Sequence, residues 1–187
     1  METDAKMLAT EVKLQRAFVQ LMTTEGFDRM TVQRLGQAAQ INRGTFYLHY
    51  LDKYDLLTHF ENELVSRVQD IFQRYPKPEP TASGVPDAFS QLFKYLYRQR
   101  QLAVVLLNSP ASQLRSRVKA LILTVTGRPQ SPAIPAELAQ ELVAQGVLDF
   151  ITDWLAQTPV QSPQAAYELF TQTRELSPQE LLRGNQG

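Results

Sequence analysis

Apolar residues recur along this chain at helical spacing almost throughout, and no run alternates in the two-residue period of a half-buried strand. Leu14, Ala17, Phe18, Leu21 and Met22 form one stripe of an amphipathic helix, and Gly26, just past it, predicts its end. Phe27 and Met30 follow in the connection and are expected to plug the core beneath it. Val32, Leu35, Ala38 and Ala39 share one face of a short helix that the Thr31 hydroxyl is placed to cap. Asn42 is placed to cap another, which buries Phe46 and Tyr50. Asp52 then opens a long helix through Leu56, Leu57, Phe60, Leu64, Val68, Ile71 and Phe72. Isolated helices shorter than about 12 residues are marginal in water, so the two short ones must be held by packing on their long neighbours.

The prolines and glycine of "YPKPEPTASGVPD" interrupt the pattern and mark the clearest boundary in the chain. Helical spacing resumes with Phe89, Leu92, Phe93, Leu96 and Tyr97, and continues through "LAVVLLN" and "ASQLRSRVKALILTVTG". The break "GRPQSPAIP" precedes a helix from Ala136 to Leu155, "TPVQSP" precedes one from Gln164 to Arg174, and the last residues read as a tail. Leu138, Leu142, Val143, Val147, Phe150, Ile151, Trp154 and Leu155 cover a wide arc, wider than one supporting neighbour hides. Ala166, Leu169, Phe170 and Thr173 stripe the next helix. Two such helices from each of two chains make a four-helix interface, with Leu142, Val147, Phe150, Ile151, Leu169 and Phe170 as its candidates. The alternative is that they close the core of a single chain. The fold class is all-α.

At 187 residues with 43% hydrophobic composition, the chain can bury one sizeable core or a small module joined to a larger one. Cysteine is absent, which excludes disulfides and thiolate metal sites and fits a reducing cytoplasm. No secretory leader and no membrane-length apolar run is visible, so the chain reads as soluble and intracellular. The overall balance of 19 basic and 19 acidic residues is uninformative, but its distribution is not. Between Lys13 and Lys53, six basic residues (Lys13, Arg16, Arg29, Arg34, Arg43, Lys53) face three acids (Glu25, Asp28, Asp52).

That basic segment contains the two short helices, and a second helix exposed behind a tight turn fits the DNA major groove, about 12 Å wide. The residues of Asn42 to Lys53 suit the use. Arg43 can reach a guanine edge or a phosphate. Thr45 offers a methyl to thymine or a hydroxyl to a phosphate, while Tyr47, His49 and Lys53 donate to backbone oxygens, contacts that fix register without reading sequence. Gly44 removes a side chain where the helix start nears the duplex, and Gly36 keeps the facing helix thin. Catalysis has no comparable constellation. His49 and His59 lie ten residues apart without an HExxH arrangement, Glu61 and Glu63 read as surface charges, and no nucleophile motif or phosphate-binding glycine loop is present. Neither an enzyme activity, a cofactor nor a metal is expected.

From Leu14 to Leu57, and above all in "GFDRMTVQRLGQAAQINRGTFYLHYLDKYDLL", the chain resembles the DNA-binding domain of the TetR/AcrR family of bacterial transcription regulators. The resemblance covers about a quarter of the chain. It implies a three-helix helix-turn-helix head over residues 1–53 and a helical effector-binding and dimerisation body over 54–187, with the helix from 52 to 75 linking them. It further implies a homodimer, a palindromic double-stranded DNA operator, a small-molecule effector and, from family habit alone, repression. Carried over by position, Thr31 caps the second helix and touches a phosphate, and Gln33 approaches the groove. Arg43, Thr45 and Tyr47 lie on the recognition helix, with His49 and Lys53 on phosphates. Two positions depart from the pattern: Gln40 stands where the family usually has a turn glycine, and Leu48 where many members place a polar or aromatic residue. "GVLDFITDWL" looks like the body of a Gram-positive-type branch of these regulators. For the effector pocket the candidates are His59, Phe60, Phe89, Phe93, Tyr97, Leu107 and Trp154, with Asn62 as a further polar anchor, which points to an apolar or amphipathic ligand. The rival reading is a protein with the same head fold that works through a protein partner.

Overall fold

The computed structural model describes residues 2–75, 87–126 and 134–176, and every regular element among them is an α-helix. In chain order these are α1 (Glu2–Thr24), α2 (Val32–Ala39), α3 (Arg43–Tyr47), α4 (Lys53–Arg74), α5 (Ala88–Arg98), α6 (Arg100–Leu107), α7 (Leu114–Thr126), α8 (Ala136–Ala156) and α9 (Pro163–Glu175). The all-α class expected from the periodicity is what folds. The connections expected at 76–86 and 127–133 and the tail at 177–187 lie outside the described residues.

Two compact units result. The first comprises Met1–Ser66 with Gln101–Val118, the second Arg67–Arg100 with Lys119–Gly187. The division falls inside α4, beyond the boundary at residue 53 drawn from the sequence, because the first half of α4 is part of the first core. Phe60 is fully buried there, with its ring edge-on to Phe18 at 5.2 Å. Leu14, Leu35, Phe46 and Leu56 are equally buried around it, and Phe27 and Met30 plug the connection as expected. Each such side chain contributes about 1.5–3 kcal/mol on burial, which holds α2 and α3 in place despite their length.

One reading of the sequence is corrected here. Glu61 is not a surface charge but is 4% exposed. Its Oε1 accepts from the Ser112 hydroxyl and the Gln113 backbone N–H, both at 2.7 Å, and the Arg117 guanidinium lies 3.5 Å from its Oε2. The carboxylate thus stands at the N-terminus of α7, where free amides and the helix dipole favour negative charge.

The second unit is organised around Phe93, with no exposed surface, whose ring meets Trp154 at 4.9 Å, Phe170 at 5.5 Å, Tyr167 at 5.8 Å and Phe150 at 6.1 Å. Phe72, from the end of α4, meets Phe89 edge-on at 5.3 Å, and Phe89 stacks on Phe170. Asp87 ties α5 to α9: Oδ1 accepts from the Ser90 N–H at 2.9 Å as a helix cap, and Oδ2 accepts from the Tyr167 hydroxyl at 2.7 Å. At the far end of α8, Arg100 donates to the carbonyls of Leu155 at 2.6 Å and Gln157 at 2.7 Å, a cation where the helix leaves its last carbonyls free.

Candidate nucleic-acid interface

Thr31 Oγ1 accepts from the Arg34 N–H at 3.2 Å and so starts α2; its own hydroxyl hydrogen is not used in that bond. The helix ends at Gln40, whose φ of 54° and ψ of 45° place it in the left-handed region. That turn directs the Ile41 N–H back to the Gly36 carbonyl at 2.9 Å. A Cβ on Gly36 would meet the Ile41 carbonyl oxygen at 3.0 Å, so the glycine makes room for the turn itself rather than for a facing helix. Asn42 then caps α3, its Oδ1 accepting from the Thr45 N–H at 2.7 Å and from the Thr45 hydroxyl at 3.0 Å.

Along α3 the side chains divide by helical spacing. Phe46 is fully buried and Tyr50, one turn on, is 8% exposed. Arg43 and Tyr47, also one turn apart, flank that buried edge and are both exposed, and Arg43 has no ion-pair partner among the described residues. Gln33 and Gly44 are exposed and His49 is half-buried beside Tyr50. The structure therefore brings Thr31, Gln33, Arg43, Gly44 and Tyr47 to the open surface of one compact unit, on α2, on α3 and at the caps.

Two of the expected contacts are otherwise engaged. The Thr45 hydroxyl donates to Asn42, which leaves its methyl as the group free to meet a base. Lys53 does not project as a free cation: its Nζ donates to the carbonyls of Phe27 at 2.9 Å and Asp28 at 3.2 Å and lies 4.6 Å from the centre of the Phe27 ring. It secures the connection after α1, which turns at Gly26 (φ 79°). Arg34 is likewise paired, with Glu25. What periodicity could have shown is Leu48: two places after buried Phe46 it must face outward, and it is 83% exposed, with Leu51 at 82% nearby.

The effector candidates separate. His59, Phe60 and Leu107 belong to the first unit, and Phe89, Phe93, Tyr97 and Trp154 to the second. Phe60, Phe93 and Trp154 are core side chains, whereas Tyr97, 40% exposed, stacks over Trp154. Asn62, the further anchor, instead accepts from Arg117 at 2.7 Å. A half-open cleft of about 830 Å³ lies in the first unit, lined among others by Met22, Phe27, Val104, Val105, Pro110 and Ala111, none of them a pocket candidate. The dimer candidates separate as well. Val147, Ile151 and Phe170 are buried within the chain and serve its own core, Phe150 is half-buried, and Leu142 and Leu169 are exposed at 61% and 40%.

Capped helices on either side of a left-handed turn, with the second presenting a cation and an aromatic outward, define a helix-turn-helix protein. Residues 16–60 match the sequence model of a family described as bacterial regulatory proteins, tetR family. No curated protein matches the chain. Among solved structures, a TetR transcriptional regulator from Streptococcus agalactiae is similar over 92% of this chain and 97% of its own (TM-score 0.61, 18% identity). NalD from Pseudomonas aeruginosa, the secondary repressor of the MexAB-OprM multidrug efflux pump, matches over 95% and 99% (TM-score 0.59, 18% identity). FadR from Bacillus halodurans, a fatty acid degradation regulator, matches over 87% and 93% (TM-score 0.58, 19% identity). At such identities the likeness is one of fold.

Proposed function

We propose that this protein is a ligand-responsive transcription regulator that binds a palindromic operator as a homodimer, places α3 in the major groove and represses until an apolar or amphipathic effector is bound. The observation that carries the reading is the outward pair Arg43 and Tyr47 on a helix fixed from behind by Phe46, its cap and the left-handed turn. Arg43 is the base reader, Thr45 supplies a methyl to thymine, and Thr31, Tyr47 and His49 hold phosphates. The site of action is the bacterial cytoplasm, on the nucleoid. The exposed Leu138, Leu142 and Leu169 of α8 and α9 are the surface a second copy covers, setting two recognition helices about 34 Å apart. The effector enters at Tyr97, the exposed member of the aromatic cluster, and by linkage whatever it takes from DNA affinity DNA takes from its own.

A selection on genomic fragments at two salt concentrations, run beside Arg43→Ala, tests this. A palindrome enriched at low salt, lost at high salt and changed at one base position by the substitution is the expected result. Leu48 and Leu51 favour a second reading, in which the same head docks a protein partner. Salt separates the two, since an apolar protein interface does not weaken steeply with ionic strength whereas contact with several phosphates does.

A further inference from the structure

The two histidines have no chelating spacing in the sequence, yet the fold brings a carboxylate to one of them from 48 residues away. His59 Nε2 lies 2.5 Å from Glu11 Oε1 on α1 and 3.8 Å from Glu63 Oε2, one turn further along α4. The three donor atoms all fall within 4.8 Å of one another. Residues at i and i+4 share one helix face and can hold a single ion between them, and Glu11 closes the set from the neighbouring helix.

Donors around a four-coordinate divalent ion of zinc size sit about 3.4 Å apart, given metal–ligand bonds of roughly 2.0–2.2 Å. The contacts here straddle that spacing, so the Glu11 pair has to open and the Glu63 pair to close by less than an ångström each. All three side chains are partly exposed, at 29% for Glu11, 35% for His59 and 54% for Glu63, so an ion has a path in.

Tyr50, 8% exposed, packs its ring edge-on to the His59 imidazole at 5.2 Å and holds it in place.

We propose that Glu11, His59 and Glu63 form a binding site for a divalent first-row transition cation, with one imidazole and two carboxylates as ligands, that braces α1 against α4 within the first unit. Imidazole with carboxylate selects such ions over calcium or magnesium, which prefer all-oxygen sets. With Nε2 on the metal, Nδ1 of His59 carries the ring proton. The open coordination positions belong to water.

The full chain without a histidine tag, stripped with a chelator, is titrated with Zn²⁺ by calorimetry and with Co²⁺ by visible absorption. One ion per chain is expected, with the Co²⁺ bands of a four- or five-coordinate nitrogen and oxygen site. His59→Ala and Glu11→Gln should each weaken binding by about tenfold or more, and His49→Ala should leave it unchanged. Circular dichroism confirms that each variant keeps its helices. If His59→Ala does not fold, the partly exposed Glu11→Gln and Glu63→Gln variants decide the matter. No saturable binding by the wild-type chain overturns the proposal, as does binding that survives Glu11→Gln with Glu63→Gln or follows His49.

Discussion

The two units hold their helix ends in different ways, and the difference decides what a sequence can disclose. In the first unit Thr31, Asn42 and Asp52 each accept from amides two or three residues on, with Asp52 Oδ1 at 2.8 Å from the Tyr54 nitrogen and 2.9 Å from that of Asp55. The recognition surface is defined by these local contacts and by a single left-handed residue. The second unit has local caps of its own at Asp87 and Ser162, but its core rests on a cluster of rings drawn from α4, α5, α8 and α9 and on Arg100 reaching carbonyls 55 and 57 residues away. Local devices fix a surface; the remote ones fix a core whose spare room is invisible from spacing.

The comparison breaks most readily at the ring cluster. Phe93→Ala removes the side chain that touches four others and should cost about 3–5 kcal/mol. Trp154 is the only tryptophan of the chain and lies against Phe93, so urea unfolding followed by its emission reads the loss directly. A cost under about 1 kcal/mol would mean that the cluster already tolerates empty space, as a ligand pocket does. In the first unit the corresponding remote device is Glu61. Glu61→Ala strips the start of α7 of its acceptor and leaves Arg117 without its buried partner, and a loss of about 3 kcal/mol in the same assay is expected.

A smaller effect belongs to the Asp87 link. Burial first, and then the hydrogen bond to Asp87, raise the Tyr167 hydroxyl from its ordinary 10.0 to about 12. A group whose pKa is higher in the folded chain contributes stability that is complete below about pH 10 and is lost as the pH rises through 12. Tyr167→Phe should therefore cost no more than about 1 kcal/mol at neutral pH, since the contact is partly exposed, and should flatten the decline between pH 10 and 12. A decline of unchanged steepness would assign it to other tyrosines or lysines.

These contrasts explain how far the sequence could be read. The helices were legible from periodicity, and Thr31, Asn42, Gly26 and Asp52 from the chemistry of helix ends, because cap and capped amide are neighbours in the chain. Lys53 was misplaced because its partners, the carbonyls of Phe27 and Asp28, come close only after α1 turns back. Glu61 looked like a surface charge because the amide it serves is 52 residues away, and Glu11 gave no sign of meeting His59. Val147, Ile151 and Phe170 looked like an interface because an apolar stripe does not state whether its own chain or another covers it.

The finest test concerns the one residue in the head that departs from local preference. Gln40 holds a positive φ that a glycine adopts without a Cβ clash, at an exposed position where its side chain has little to lose. Gln40→Gly removes roughly 1 kcal/mol of backbone strain and adds a smaller entropy cost in the unfolded chain, so a net gain of about 0.5 kcal/mol is expected in thermal unfolding. DNA affinity should not fall, because the turn that presents α3 keeps its shape. If stability rises while operator binding weakens, the Gln40 side chain itself contacts DNA, and the recognition surface extends from α3 into the turn.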